Sequence, residues 1–236
     1  MRFESTELNS HVNGASHPAT MVRFRPQTTE PCRLTSFAEQ INSSYAKRFI
    51  DLFGAASGIV LLVPAFFIIA LLIRIESRGP ILFRQERYGA GKQVFVMYKF
   101  RSMTVLESRG AFQQATLNDT RITRVGRVLR RTSLDELPQL FNVLLGHMSL
   151  VGPRPHAVPM DDAFVHVVRG YAQRHLVRPG LTGLAQVSGC RGPTSAPIMI
   201  ENRVRKDRAY IKGWSVILDL KILARTPVAL VSPNAL

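Results

Sequence analysis

Residues 52–73 read LFGAASGIVLLVPAFFIIALLI, an uncharged apolar stretch that decides how this chain folds. As a helix, its roughly 22 residues extend about 33 Å, which is enough to cross the hydrocarbon core of a bilayer. A helix buried in a protein core is the alternative, but such a helix rarely runs this far without a charge or a polar stripe. The stretch therefore predicts a membrane-embedded helix.

Pro64 lies near the middle of this stretch and predicts a kink or break, because proline removes a helix hydrogen bond and clashes with the preceding turn. Basic residues flank both ends of the stretch: Lys47, Arg48, Arg74, Arg78, Arg84 and Arg87. Basic flanks tend to stay in the cytosol, and a straight span would carry one of them across. A helix broken at Pro64 keeps both flanks on one side, provided the freed backbone groups find partners. We therefore expect a re-entrant membrane helix within residues 45–78.

The composition of the whole chain limits its class. It has 236 residues, 46% of them hydrophobic, and a formal net charge of +15. This suits one sizeable domain with an appendage and excludes a disulfide-rich miniprotein or a fully disordered polycation. The charge favours nucleic acid, an anionic membrane surface or phosphorylated small molecules as partners. Cys32 and Cys190 lie far apart and form no CxxC pair, so neither a disulfide framework nor a zinc site is indicated.

The chain divides into three predicted segments. Residues 1–44 are polar, lack apolar periodicity and have no secretory signal pattern, so they predict a flexible basic and polar tail. Residues 45–78 hold the re-entrant helix, and residues 79–236 form a cytosolic domain. In this domain, short apolar runs on either side of residues 89–91 (GAG) predict a two-stranded β-hairpin. The expected fold class is α+β, mainly helical.

Other segments of this domain predict amphipathic helices. Residues 121–131 place apolar side chains at helical spacing among five arginines. Such a helix suits the membrane interface, and a basic face exposed to solvent is the alternative. Residues 214–231 also suit the interface, with burial in the core as the competing interpretation. A helix is expected from about Asp161 to His175. Three histidines lack the spacing of a metal site and are expected to pack or lie on the surface: His156, His166 and His175.

A carboxylate pair lies in the central part of the chain. Ser133 and Glu136 match a capping box that would open an amphipathic helix, with Asp135 in its first turn. Acids in that position most often complement the helix dipole. Here arginines precede the pair and residues 152–155 (GPRP) follow the helix. A carboxylate pair among cations is typical of phosphoryl transfer, which needs a nucleophile or metal ligand and positive charge for phosphate oxygens.

These residues resemble the bacterial sugar transferases, the monotopic polyprenyl-phosphate phosphoglycosyl transferases. The resemblance is carried by KRFIDLFGAASGIVLLVP, LFRQERYGAGKQVFVMYKFRSM, RITRVGRVLRRTSLDELPQLFNVLLGHMSLVGPRP, VRPGLTGLAQVSG and WSVILDLKIL, in the family's order. The chain departs from the family at Val63, where the family usually has Ser before the proline. Many relatives have further transmembrane helices where this chain has its polar tail, so it resembles the minimal, single-domain members.

The resemblance implies that a sugar 1-phosphate moves from a UDP-sugar to undecaprenyl phosphate with release of UMP, as the first step of exopolysaccharide assembly. Asp135 would be the nucleophile that forms a covalent phosphosugar intermediate and a ligand of Mg²⁺, with Glu136 as its partner. The implied substrate-binding residues are Lys99, Arg101, Arg130, Pro153, Arg154 and Pro155. Residues 155–158 (PHAV) and 189–192 (GCRG) look closest to members that use UDP-glucose, with UDP-galactose next.

The partners implied are a UDP-sugar, undecaprenyl phosphate and the anionic cytoplasmic face of the bacterial inner membrane. Association of the chain with further copies of itself stays open. A membrane-anchored basic protein that binds nucleic acid or anionic lipid without catalysis is the alternative from another class. The sequence carries no recognisable nucleic-acid module and few aromatic residues among its basic runs, so nucleic acid is not an expected partner.

Overall fold

The computed structural model describes residues 30–104, 119–190 and 197–231. Its elements are α1 (Glu30–Ser43), α2 (Tyr45–Glu76), β1 (Leu82–Tyr88), β2 (Val94–Phe100), α3 (Arg124–Thr132), α4 (Gln139–Leu144), β3 (Ser149–Val151), α5 (Val158–Val167), β4 (Gly180–Thr182), α6 (Leu184–Val187), α7 (Pro197–Lys212) and α8 (Val216–Val231). The fold is mainly helical, as predicted.

The apolar stretch forms α2, a helix of 32 residues. Of the described helices, it is the one long and apolar enough to cross a membrane. Its backbone stays helical through Pro64, so the predicted break does not interrupt the helix. Loss of one backbone hydrogen bond at a proline can be absorbed inside a long helix. One side of α2 is buried at Ala55, Ile69 and Ile73, whereas Leu61 is 80% exposed.

The N-terminal part of α2 is attached to the domain by buried polar groups. Lys47 Nζ lies 2.9 Å from the Asp219 carboxylate of α8 and donates to it. One turn later, the Asp51 carboxylate accepts from the Leu150 N–H at 2.8 Å and the Ser149 hydroxyl at 2.9 Å. Because each buried charge has partners, this end of the helix has a defined position on β3 and α8.

The C-terminal end of α2 is attached to the same domain. The Glu76 carboxylate accepts from the backbone N–H groups of Arg124, at 2.7 Å, and Val125, so it caps the first turn of α3. Arg101 at the end of β2 donates to the Ser77 carbonyl at 2.7 Å. Both ends of the apolar helix therefore contact one domain.

The predicted hairpin is confirmed. β1 and β2 pair antiparallel from Leu82 opposite Phe100 to Tyr88 opposite Val94. Gly91 has a φ of 63° in the connecting turn, a conformation that glycine adopts without strain. The Asn142 side chain of α4 donates to the Val96 carbonyl at 2.7 Å, which fixes the hairpin against this helix.

A second, unpredicted sheet consists of β3 and β4, which pair in parallel. Just beyond β3, the Gly152 N–H donates to Thr182, and the Gly180 N–H donates to Pro153, each at 2.9 Å. A Cβ on Gly152 would lie 2.6 Å from the Arg178 carbonyl oxygen, and one on Gly180 would collide with the Gly152 backbone. Only glycine permits this approach, which fixes the start of the loop at residues 153–155.

The structure differs from the predicted boundaries in two places. Residues 30–43 of the predicted tail form α1, because Leu34, Ala38 and Ile41 supply a buried apolar stripe at helical spacing; residues 1–29 lie outside the described residues. The helix expected from about residue 161 to 175 is also different. α5 ends at Val167, and Gly170, with a φ of 76°, leads into a separate 3₁₀ segment.

The two segments predicted for the membrane interface each have two faces. In α3, Leu129 is buried and Val128 is 60% exposed. In α8, Ile222 is buried in the core, whereas Ile217 is 64% exposed. Core packing and an exposed apolar face thus occur together in both helices.

Candidate active site

Asp135 and Glu136 lie in a 3₁₀ turn, Leu134–Glu136, between α3 and α4. The predicted capping box is wrong, because Ser133 has a φ of 58°, ends α3 and makes no side-chain capping hydrogen bond. Leu134 and Leu137, on either side of the pair, pack against a cluster of apolar residues around Phe100. This packing anchors the turn and leaves both residues more than nine-tenths buried.

Glu136 is held by two cations. Lys99 Nζ donates to Oε1 at 2.8 Å, and Arg154 donates to both carboxylate oxygens, with Nη1 2.8 Å from Oε2. Burial raises the pKa of Glu136, but the charges of Arg154 and Lys99 outweigh burial and hold that pKa well below its ordinary value. Glu136 is therefore an anion that fixes two cations beside Asp135.

Asp135 has the opposite electrostatic character. Burial and, to a smaller extent, the neighbouring charge of Glu136 raise its pKa to about 6, against the lowering influence of Lys99 and Arg130. The net pKa of about 6 leaves the group ionised at neutral pH and more basic than an ordinary carboxylate. A buried basic carboxylate surrounded by cations suits attack on phosphorus, because the cations neutralise the phosphate oxygens that would otherwise repel it.

The structure brings most of the predicted site residues together. Lys99 and Arg154 contact Glu136, and Arg130 lies close enough to Asp135 to lower its pKa. Pro153 and Pro155 flank Arg154, and their carbonyls accept from the Gly180 N–H and the Arg87 guanidinium. Residues 191 and 192 of the GCRG stretch lie outside the described residues.

Arg101 is placed differently. Its guanidinium donates to the carbonyls of Ser77 and Arg78, at 2.7 and 2.9 Å, and is itself buried. These contacts tie the end of α2 to β2 and do not support the phosphate-binding role expected for Arg101.

A buried network behind Arg154 was missed. Arg174 donates to the Arg154 carbonyl at 2.6 Å, to the Asp207 carboxylate at 2.8 Å and to Nδ1 of His156 at 2.9 Å. Burial and the charges of Arg174 and Arg203 hold the pKa of His156 well below its ordinary value, so the ring is neutral. These residues come from separate segments, and no local pattern in the sequence connects them.

The carboxylate pair also fits the expected Mg²⁺. Among the described residues, no group of three His, Cys, Asp or Glu side chains forms a metal site. Mg²⁺ is, however, commonly held by one or two carboxylates together with substrate phosphates and water. Lys99 and Arg154 already engage both oxygens of Glu136, so Asp135 is the carboxylate better placed to take a cation.

The chain matches known proteins over most of its length. A family model described as bacterial sugar transferase matches residues 42–233. The chain is 49% identical, over 76% of its length, to the UDP-glucose:undecaprenyl-phosphate glucose-1-phosphate transferase of Klebsiella pneumoniae. The match covers only 39% of that longer protein. The chain is 49% identical over 80% of its length to the protein of the same name from Caulobacter vibrioides, spanning 71% of that protein.

A shorter relative has nearly the same extent as the matched region. The exopolysaccharide production protein PSS of Rhizobium leguminosarum bv. phaseoli is 46% identical to this chain over 78% of the chain's length. The match covers 94% of that protein. The matched region of the chain includes both halves of the candidate active site, the turn at residues 134–136 and the loop at residues 153–155. The chain belongs to the bacterial sugar transferase family.

Proposed function

We propose that this protein transfers a sugar 1-phosphate from a UDP-sugar to undecaprenyl phosphate and releases UMP, starting the assembly of an exopolysaccharide repeat unit. The observation that carries the proposal is the buried pair Asp135–Glu136 with Lys99 and Arg154 bound to Glu136. The names of the relatives, which refer to undecaprenyl phosphate and glucose 1-phosphate, support the substrates.

Transfer proceeds in two displacements at phosphorus. An Asp135 oxygen attacks the phosphorus attached to the sugar, and the bond from that phosphorus to the oxygen bridging the diphosphate breaks, so that UMP leaves with the oxygen. An oxygen of undecaprenyl phosphate then attacks the same phosphorus and frees Asp135. Lys99, Arg130 and Arg154 neutralise the phosphate oxygens in both steps.

Mg²⁺ held by Asp135 would withdraw charge from the diphosphate. The geometry of the chain's own cations does not depend on it, since Glu136 fixes Lys99 and Arg154 directly.

Glucose is the proposed sugar, with galactose as the alternative. The test is a panel of UDP-sugars, including both, incubated with the purified protein, undecaprenyl phosphate and Mg²⁺ while UMP is measured. We expect the largest kcat/KM with UDP-glucose. Initial-rate plots for the two substrates should give parallel lines, because UMP departs before the acceptor binds. Intersecting lines without a trapped protein adduct would indicate direct transfer.

The first displacement should depend on pH through Asp135. Its pKa is raised to about 6, mainly by burial, and attack requires the ionised form. The single-turnover rate of UMP release, measured without acceptor, should therefore rise about tenfold per pH unit below about pH 6 and level off above it. A rate that stays constant down to pH 5 would contradict this assignment of the pKa.

Arg174 is expected to act as a positioning residue, since it holds the Arg154 carbonyl without touching substrate. Arg174→Met should lower kcat by up to about 100-fold, because small displacements of a catalytic group are costly, with a smaller change in KM for the UDP-sugar. Arg205→Met, an exposed position on the same helix as Asp207, is the matched control. An equal loss of kcat in both variants would contradict this role. So would an Arg174→Met protein that loses thermal stability but keeps its kcat at a permissive temperature.

We further propose that α2 enters and leaves the membrane on the cytoplasmic side. Both of its ends bind one domain, through Lys47 and Asp51 at one end and Glu76 at the other. A full span would separate these contacts by the width of the bilayer. Between the attached ends, the outward side chains Leu61 and Phe67 are 80% and 73% exposed and suit contact with lipid.

Cysteine labelling tests this topology. In a background without Cys32 and Cys190, Tyr45→Cys and Arg78→Cys place single thiols at exposed positions on the two sides of the apolar stretch. A membrane-impermeant thiol reagent should label both in inverted vesicles and neither in intact cells. Labelling of one position from each side would demonstrate a full span.

A further inference from the structure

An apolar groove of about 870 Å³ lies between α2 and the β1–β2 hairpin. Its lining includes Phe66, Phe67, Ala70, Leu82, Arg84 and Phe141. The volume falls within the range of about 300–1,000 Å³ that is typical of small-molecule sites. All of the residues that line it are apolar except Arg84, so the groove suits a hydrocarbon.

The groove shares a wall with the active-site turn. Phe66, Leu82 and Phe100 line the groove and belong to the apolar cluster on which Leu134 and Leu137 pack. These two leucines bracket Asp135 and Glu136. A molecule in the groove would therefore lie next to the turn that performs the chemistry.

The groove also opens toward lipid and carries positive charge. Phe67, on the side of α2 proposed to face the bilayer, is one of its lining residues and is 73% exposed. The exposed Arg84 guanidinium lies 6.0 Å from the centre of the Tyr98 ring. A hydrocarbon chain could enter from the membrane, and an anionic group joined to it would be attracted to Arg84.

We propose that this groove binds the isoprenoid chain of the polyprenyl phosphate acceptor, next to its phosphate. The proposal rests on the function proposed above, which supplies an acceptor with a long apolar chain and an anionic head. Occupation of the groove would hold the isoprenoid chain against the apolar cluster on which the active-site turn packs. The acceptor would then be selected by its chain, at a place separate from the Pro153–Pro155 loop.

Filling the groove tests the proposal. Ala70→Trp adds a large side chain to the groove wall, and Leu61→Trp adds the same side chain to α2 outside the groove, at a position that is 80% exposed. Ala70→Trp should lower kcat/KM for undecaprenyl phosphate at least about tenfold and leave kcat/KM for UDP-glucose within twofold. Leu61→Trp should change neither value. Equal kcat/KM for undecaprenyl phosphate in Ala70→Trp and the wild type would overturn the proposal.

A second variant covers the case in which Ala70→Trp does not fold. Arg84→Gln removes the charge at the groove from an exposed position and should weaken retention of undecaprenyl phosphate by the protein in nanodiscs, measured by mass spectrometry. Phosphatidylglycerol supplied in excess should not displace the retained polyprenyl phosphate. Displacement by phosphatidylglycerol would overturn the isoprenoid assignment, because the groove would then accept any anionic lipid.

These readouts separate the two proposals. Failure of the wild-type protein to release UMP from any UDP-sugar would refute the proposed function. Retention of undecaprenyl phosphate is measured without a donor and does not depend on turnover. Retention unchanged by both Ala70→Trp and Arg84→Gln would refute the groove while leaving the proposed function intact.

Discussion

Asp135→Asn is expected to abolish sugar-phosphate transfer and leave the fold intact. The amide keeps the shape of the carboxylate and removes the charge proposed to attack phosphorus, so turnover should fall by about 10⁴-fold or more if Asp135 is the covalent nucleophile. The carboxylate is buried beside Lys99 and Glu136, where water cannot readily replace it as nucleophile. UMP release with UDP-glucose and undecaprenyl phosphate measures the loss.

Mass spectrometry adds a direct observation. Wild-type protein incubated with UDP-glucose in the absence of acceptor should carry a hexose phosphate on the peptide that contains Asp135, and Asp135→Asn should carry none. Asp162→Asn is the matched control, since its side chain is about half exposed and lies in α5. Near wild-type UMP release by Asp135→Asn, or an adduct on another residue, would show that the nucleophile has been misassigned.

Loss of Lys47 is expected to destabilise the fold strongly. Its ion pair with Asp219 is buried, with 7% and 3% of the two side chains exposed, and removal of one partner leaves the other charge without compensation. Lys47→Met should therefore lower the free energy of unfolding by about 3–5 kcal/mol. The double variant Lys47→Met/Asp219→Leu should regain part of this loss, because the Asp219 charge is then no longer buried without its partner. Denaturant titration in detergent micelles measures both.

An exposed ion pair supplies the comparison. Lys92 and Asp162 lie 3.8 Å apart, and each side chain is more than two-fifths exposed. Lys92→Met should cost less than about 1 kcal/mol, because water already screens the pair. If Lys47→Met were equally mild, the buried pair would not be what holds the start of α2.

The features that could be predicted from the sequence depend on neighbouring residues. The uncharged stretch at residues 52–73 predicts α2 because one helix accounts for every residue in it. The glycines at positions 89 and 91 predict the hairpin because a turn needs their conformational freedom. The Asp135–Glu136 pair and residues 152–155 also stand out in the sequence, whereas Lys99 joined them only through resemblance to a family, since it lies on a separate element.

The features that were missed depend on contacts between distant segments. β3 and β4 have three residues each, too few for a periodic pattern. Arg174 reaches Arg154 and Asp207 only after folding. Ser133 matches a capping box, yet the packing of Leu134 and Leu137 selects a left-handed conformation there that ends the preceding helix. Local rules were correct where one element decided the outcome and failed where packing between elements did.

The close approach of Gly152 and Gly180 limits how this protein can be redesigned. Because backbone atoms occupy the space of a side chain at both positions, neither glycine can vary without separating the two strands that place Arg154. Libraries meant to alter sugar selectivity should therefore keep both codons constant and diversify other positions. Clones in which either glycine is replaced should mostly be inactive, whichever UDP-sugar is used to screen them.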